Sequence, residues 1–293
     1  MATFKLTLAY DGAEFSGWQA QPGQRTVQGE LERAWREITG ETVRINVAGR
    51  TDAGVHAAGQ VASVESATQI SPGALVGALN SKLPEDAAVR TVEIEADEFH
   101  ATHDAKFKRY RYSIYNDPRR PVFSRRYAWH VPTPLDVAAM QEGGQALVGT
   151  HDFASFQSAG SERESTVRTI FTIEIAGRGA GQGSSVKAPG SAGGRYAAVT
   201  TGIPFWASEP APFNARPPAE PGAFKEREAL ITIDVEGDGF LYNMVRAIAG
   251  TLVEVGRAKR DPASIADIVA ARDRSAAGQT APPHGLSLLW VQY

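Results

Sequence analysis

The sequence predicts a globular fold that mixes β-strands and α-helices. Two strand–helix–strand units occur before residue 100, and each helix carries its apolar residues along one side. The chain has 293 residues, of which 42% are hydrophobic, so it holds enough apolar material for one large domain or two ordinary ones. It contains no run of about 18 apolar residues, and we therefore expect no membrane span.

Strands and helices alternate in the first half of the chain. Period-two alternation of apolar residues predicts strands at residues 4–10, 43–47, 60–65 and 89–95. Thr26 is expected to cap a helix from Val27 to Ile38, which carries one apolar stripe and ends at Gly40. Ser71 and Pro72 have the character of a cap and a first helical residue, and they predict a second helix.

The second half has the same mixture, interrupted by a segment of different composition. The pattern predicts helices at about 135–147, 244–255 and 261–269, and strands at about 168–175, 231–235 and 288–292. Between them, residues 177–226 are rich in Gly, Ala, Ser and Pro. Such a composition cannot bury enough apolar surface to fold alone, so we expect a flexible segment.

Composition excludes several classes of chemistry. The chain has no cysteine, which excludes disulfides, thiol catalysis and cysteine zinc sites and favours a cytoplasmic protein. The N-terminus enters a strand pattern directly, so no signal peptide is expected. No Gly-x-Gly-x-x-Gly or Walker pattern is present, and the six histidines show no close ligand spacing. We therefore expect neither a metal nor a small-molecule cofactor.

The net charge of −3 argues weakly against a nucleic-acid partner when the chain is taken whole, because phosphate binding depends on positive charge. Its distribution matters more. Residues 106–129 interleave cations with aromatic rings, a combination that supplies phosphate contacts and flat surfaces for stacking a base. A solvated strand face is the alternative interpretation of this segment.

The most informative stretch is the loop Gly49-Arg50-Thr51-Asp52-Ala53-Gly54-Val55-His56-Ala57. Two glycines bracket an Arg and an Asp, as expected for a chain that turns sharply off a strand end. An Arg beside a carboxylate favours its ionised form, which can act as a nucleophile or a base. Taken alone, the loop is equally compatible with a surface turn that carries an ordinary ion pair.

Three motifs together resemble the tRNA pseudouridine synthase A family. They are the nine-residue loop around Asp52, the string Lys-x-Lys-Arg-Tyr-Arg-Tyr-x-Ile-Tyr-Asn that begins at Lys106, and Gly-x-Gly-Phe-x-x-x-Met-Val-Arg that ends at Arg246. The resemblance implies an α+β fold with two subdomains, each a mostly antiparallel sheet flanked by helices, that meet at a basic cleft. The subdomains would be residues 1–104, which carry the Asp52 loop, and 105–293, with 177–226 as an insertion.

The resemblance also implies the reaction. Family members isomerise uridine to pseudouridine at positions 38, 39 and 40 of the tRNA anticodon arm, as homodimers and without metal or cofactor. By position, Asp52 would be the catalytic residue, and Tyr110 would stack on the target uracil. Arg50 and Arg246 would keep Asp52 ionised and displace the target base, because an enzyme that acts on a stacked base must flip it out.

The chain departs from the family pattern in one place. Thr102-His103-Asp104 stand where the family usually has Arg, an aromatic residue and Ser, so a cation is lost and an acid gained. Two other functions stay open on the sequence: a non-catalytic RNA-binding protein on the same scaffold, and an aspartate-dependent hydrolase of small substrates. The hydrolase hypothesis does not explain the basic and aromatic segment at residues 106–129.

Overall fold

The computed structural model describes residues 1–96, 98–158, 160, 165–177 and 229–293. The strands are β1 Ala2–Tyr10, β2 Asn46–Val47, β3 His56–Ser66, β4 Ala87–Glu95, β5 Phe107–Tyr115, β6 Trp129–His130, β7 Gly149–Asp152, β8 Val167–Gly177, β9 Leu230–Gly237 and β10 Leu286–Gln292. The α-helices are α1 Val27–Thr39, α2 Pro72–Asn80, α3 Val137–Gln145, α4 Met244–Gly256 and α5 Ser264–Ala271. None of these helices is long and apolar enough to cross a membrane.

The strands form one mostly antiparallel sheet, as expected for an α+β protein. Its order is β4-β1-β3-β10-β5-β9-β8-β7, with β2 paired to β3 and β6 paired to β5. Strands from the first hundred residues lie on one side of the sheet, and strands β5 to β9 lie on the other. The C-terminal strand β10 joins the two sets, because it pairs in parallel with β3 and antiparallel with β5.

One row of side chains shows which face of the sheet is buried. Tyr10 is the partner of Ala57, Ala57 of Leu288, Leu288 of Tyr110, and Tyr110 of Val235. Residues opposite each other on paired strands share a face. All five are buried and belong to one hydrophobic core that includes residues of both sets of strands.

Helices cover this face on both sides of the joining strand. Trp35 of α1 is fully buried and meets Phe4 of β1 edge-on, with ring centroids 5.8 Å apart. Helix α4 is buried almost all round, and it packs against α3 and β5. The helix α4 is therefore a central element of the core, which fixes the position of the polar side chains near its first turn.

Most of the predicted elements are present at their predicted places. Helix α1 begins after Thr26, whose side chain accepts the Gly29 N–H at 3.2 Å, and ends at Gly40 in the left-handed region. The strand predicted at 43–47 is reduced to β2, Asn46–Val47. The reason is local: the Ile45 N–H donates to the Glu32 carboxylate at 3.0 Å, so this backbone is bound to α1.

The predicted insertion at about 177–226 lies outside the described residues, apart from Gly177 at the end of β8. The division of the chain at residues 104 and 105 stays a prediction. Strand β10 belongs to the C-terminal part by sequence, and it pairs with β3 of the N-terminal part.

We expect Trp35→Ala to lower the free energy of unfolding by about 3–5 kcal/mol, because it leaves a large cavity between α1 and β1. Trp35→Phe is the matched control. The buried indole N–H has no hydrogen-bond partner among the described residues, so Phe removes an unsatisfied donor while keeping a ring, and its cost should stay below about 2 kcal/mol. Urea unfolding of both variants measures the difference; equal costs would contradict this account of the packing.

Candidate active site

The loop between β2 and β3 is held by hydrogen bonds on several sides. The Thr51 hydroxyl lies 2.7 Å from the Tyr10 hydroxyl, and the Thr51 carbonyl accepts the Trp18 N–H at 2.9 Å. The Gln60 side chain donates to the Gly49 carbonyl at 2.7 Å. Thr51 is buried, and the Asp52 side chain that follows is 32% exposed. A rigid turn therefore presents a half-buried carboxylate to the space beyond the sheet.

A second loop packs so closely on this turn that it requires glycine. Gly17 has φ +85°, and a Cβ atom there would lie 2.9 Å from the Thr51 carbonyl oxygen. Gly12 approaches even more closely, since its Cβ would overlap the Val55 carbonyl oxygen. The segment after β1 therefore fixes the backbone on both sides of Asp52.

Arg246, in the first turn of α4, supplies the cation nearest to Asp52. Its Nη1 lies 3.6 Å from Asp52 Oδ2, and its side chain is 15% exposed. The same guanidinium is held from behind: Nε donates to the Ala281 carbonyl at 2.7 Å, and Nη1 donates to Asn243 Oδ1 at 2.6 Å. The structure therefore brings together Asp52 and Arg246, which lie 194 positions apart in the sequence.

Burial outweighs the cation in setting the acidity of Asp52. Burial raises the pKa of Asp52 above its ordinary value, while the positive charge of Arg246, 3.6 Å away, acts in the opposite direction. The Asp52 carboxylate accepts no hydrogen bond within 3.5 Å from any of the described residues, so its oxygens are available to a ligand.

The structure does not bring Arg50 and Asp52 together. Arg50 is exposed, and within the described part of the chain it forms no ion pair with Asp52. The expectation that both arginines keep Asp52 ionised therefore applies by geometry to Arg246 alone. The two side chains belong to one tight loop, but the intervening Thr51 is turned into the core and bound to Tyr10.

Tyr110 lies on β5 at the floor of the same space. The residue is 8% exposed, and its ring meets Phe240 edge-on with centroids 5.1 Å apart. Burial raises the pKa of Tyr110 well above its usual range, with smaller contributions from Tyr10 and Asp52. Tyr110 is thus a neutral phenol at physiological pH.

Asp52, Arg50 and Tyr110 line one open cleft of about 1010 Å³. The charged side chains that line it are Arg44, Arg50, Lys108 and Arg168, with Asp52 and Asp238 as the acids. The aromatic side chains that line it are Trp18, Tyr110, Phe240 and Tyr242. Trp18 is 1% exposed, as expected for a packing anchor. A cleft with a cationic lining and aromatic rings fits a polyanion that carries flat bases.

The basic and aromatic segment divides between the two faces of the sheet. Lys108 and Tyr110 line the cleft. Arg109 and Arg111 alternate with them and bind the buried Asp234 on β9, at 2.9 and 2.7 Å. These two arginines therefore form ion pairs on the opposite face of the sheet and do not line the cleft. Their sequence pattern alone did not indicate this division.

The departure at Thr102-His103-Asp104 lies at the margin of the cleft. Thr102 lines it, and its hydroxyl donates to the Val47 carbonyl at 2.7 Å. The Asp104 carboxylate accepts the His100 N–H at 2.7 Å, so it closes its own turn. The position where the family usually has Arg is thus neutral here, and the added acid is engaged locally.

Sequence reasoning missed the groups that hold Arg246, namely Asn243 and the Ala281 carbonyl. Asn243 lies three residues before Arg246, a spacing that places side chains together at a helix start. Among the described residues, no group of three or more His, Asp or Glu side chains is arranged to hold a metal ion.

Comparison with known proteins gives one consistent result. The family model described as tRNA pseudouridine synthase matches residues 7–104 and 144–293. The tRNA pseudouridine synthase A of Moorella thermoacetica is 43% identical, and that of Brevibacillus brevis is 42% identical, each over the whole of both chains. That of Geobacillus kaustophilus is 41% identical over 99% of this chain and 93% of its own length.

Substitution of Arg246 can separate its effect on the pKa of Asp52 from the opposed effect of burial. We expect Arg246→Gln to raise the pKa of the Asp52 carboxyl further, because burial then acts without a cation. Arg50→Gln, at an exposed arginine on the same loop, is the control and should change this pKa much less. Carbon-13 NMR titration of the Asp52 carboxyl measures both; an equal shift in the two variants would contradict the geometry.

Proposed function

This chain belongs to the tRNA pseudouridine synthase family and isomerises uridine in tRNA, and we propose that Asp52 carries the chemistry. One observation supports this role above all. The Asp52 carboxylate faces the cleft with no hydrogen bond from the described residues and with one cation at 3.6 Å. A carboxylate that only stabilises the fold is normally hydrogen-bonded to its neighbours.

The reaction explains why such a group is needed. It breaks the N1–C1′ glycosidic bond of uridine, turns the uracil and joins C5 to C1′, with the C5 proton lost to solvent and a proton gained at N1. Asp52 attacks C1′, attacks the uracil ring or assists elimination to a glycal. The three routes share one requirement, which is an ionised carboxylate with free oxygens beside the target nucleoside.

The neighbouring residues have complementary roles in this proposal. Arg246 stabilises the ionised Asp52, and Tyr110 stacks on the target uracil, since its ring lines the cleft that Asp52 faces. The raised pKa of Tyr110 leaves little phenolate, which argues against Tyr110 as a strong base for the C5 proton. Arg50 is exposed at the cleft and is available to fill the space of a flipped base or to contact its phosphate.

The resemblance of the motifs also supports finer features of the proposal. The target uridines are those at positions 38, 39 and 40 of the anticodon arm, and the protein works as a homodimer in the cytoplasm, where its tRNA substrate is found. The lining of the cleft agrees with an RNA ligand, because its cations can contact phosphates and its aromatic rings can stack on an unpaired base.

We expect Asp52→Asn to abolish tritium release from C5-labelled uridine in bulk tRNA, to below about a thousandth of the wild-type rate, because an amide cannot act as the nucleophile. The variant should still bind tRNA in a gel shift, since the cationic side chains of the cleft are unchanged.

Asp238→Asn is the matched control, since Asp238 lines the same cleft and receives the same substitution. It should retain most of the release. Release that survives in Asp52→Asn would overturn the assignment of Asp52. A wild-type protein that binds tRNA without any release would instead favour a non-catalytic RNA binder.

The positions of modification can be tested separately. Carbodiimide treatment followed by primer extension should reveal new stops one nucleotide 3′ to positions 38, 39 and 40 of tRNA incubated with the protein. Uridines outside the anticodon arm of the same transcript serve as the internal control. New stops confined to another arm would retain the activity and overturn the proposed site.

A further inference from the structure

Asn243 has an unusual backbone at the start of α4. Its φ of 60° and ψ of 9° lie in the left-handed region, which favours glycine and which asparagine tolerates better than most residues. An asparagine before a helix normally caps it with its side chain, but Asn243 makes no such bond. The Asn243 side chain therefore does not cap the helix and makes other contacts.

Two hydrogen bonds fix the Asn243 amide. Its Nδ2 donates to Ser158 Oγ at 3.1 Å, and its Oδ1 accepts from Arg246 Nη1 at 2.6 Å. Ser158 is itself attached to this region, because its backbone N–H donates to the Tyr242 carbonyl at 3.1 Å. The amide can bind both partners only in this orientation, with oxygen toward Arg246 and nitrogen toward Ser158.

The distances around Arg246 Nη1 are informative. The neutral Asn243 oxygen lies at 2.6 Å, whereas the Asp52 carboxylate, a stronger acceptor, lies at 3.6 Å. A guanidinium free to move would close on the carboxylate to about 2.8 Å. Nε is held at the same time by the Ala281 carbonyl at 2.7 Å. Arg246 is thus kept back from Asp52 by two neutral oxygens.

We propose that Asn243 is a positioning residue that holds Arg246 short of a closed ion pair with Asp52, so that the Asp52 oxygens stay free for the nucleoside. This inference rests on the proposed role of Asp52. A cation at 3.6 Å still favours the ionised form, while a closed, hydrogen-bonded pair would occupy the atoms that must react. The left-handed backbone of Asn243 directs its amide toward Arg246 instead of toward the N–H groups at the start of α4.

Two substitutions at this position should shift the pKa of Asp52 in opposite directions. Asn243→Gly keeps the backbone conformation and removes the amide, so Arg246 closes on Asp52 and the Asp52 pKa falls. Asn243→Asp binds Arg246 more strongly and adds a negative charge nearby, so the Asp52 pKa rises. In Asn243→Gly, kcat should fall about 10-fold to 100-fold, because the oxygens are occupied.

Carbon-13 NMR titration of the Asp52 carboxyl gives the pKa, and tritium release at saturating tRNA gives kcat. The other groups around Asp52 are unchanged in both variants. The titratable side chains that share the cleft or face Asp52 are Arg246, Lys108, Tyr110, Arg44, Arg50, Arg168, Asp238 and Tyr242. A merely structural asparagine would change kcat or stability without opposite shifts of the Asp52 pKa.

Ala258→Gly is the matched control, since exposed Ala258 has φ 54° and glycine relieves the same strain away from the cleft. It should change neither quantity. Ser158→Ala removes only the partner of Nδ2 and should lower the Asp52 pKa in the same direction as Asn243→Gly, by less, which keeps the test valid if Asn243→Gly folds poorly.

An Asp52 pKa that is unchanged in Asn243→Gly, Asn243→Asp and Ser158→Ala would overturn the inference. The proposed function fails separately, through activity that survives in Asp52→Asn. Shifted pKa values with unchanged kcat would also overturn the inference, because the position of Arg246 would then not matter to the reaction.

Discussion

The pairing of β10 with β3 is the constraint on which the site depends. Only two residue pairs make this parallel contact, Ser287 with His56 and Leu288 with Ala57, directly after the loop that carries Asp52. Gly59 lets the two strands approach, since a Cβ there would lie 2.5 Å from the Leu289 carbonyl oxygen. Because β10 also pairs with β5, the turn that carries Asp52 is brought beside Tyr110, and α4 packs on the same strand. Strand β10 therefore links the strand that follows the Asp52 loop to the strand on which α4, with Arg246, packs.

Within that frame, two opposed effects set the pKa of Asp52. Burial disfavours the charged carboxylate, and a cation at 3.6 Å favours it, with burial the larger. The balance leaves an aspartate that is less acidic than usual and not committed to any hydrogen bond from the described residues. A tighter ion pair would make it more acidic and less available. Around Arg246, two neutral oxygens make the shorter contacts, at 2.7 and 2.6 Å, and the Asp52 carboxylate lies farther away, at 3.6 Å.

The sequence was a good guide to elements with strong local signals and a poor guide to contacts between distant segments. Helix α1 follows from its stripe and from the caps Thr26 and Gly40, all of which act within one stretch of chain. The nine-residue loop and the Arg246 motif were recognisable as strings. The pairing of Arg109 and Arg111 with Asp234 depends on the register of β5 against β9, more than a hundred residues apart, which no local pattern reveals. Arg50 was expected beside Asp52 because it is near in sequence, but the burial of Thr51 decides otherwise.

The distribution of charge resolves the apparent conflict between a net charge of −3 and an RNA substrate. On the face of the sheet opposite the cleft, carboxylates neutralise the strand cations: Asp234 binds Arg109 and Arg111, and Glu93 binds Lys5. In the cleft, Arg44 and Arg50 form no ion pair with the described residues. Phosphate groups respond to the local potential within a Debye length of about 8 Å at physiological salt, and not to the total charge. An acidic protein can therefore bind tRNA when its carboxylates form ion pairs on one face of the sheet and its unpaired cations lie on the other face.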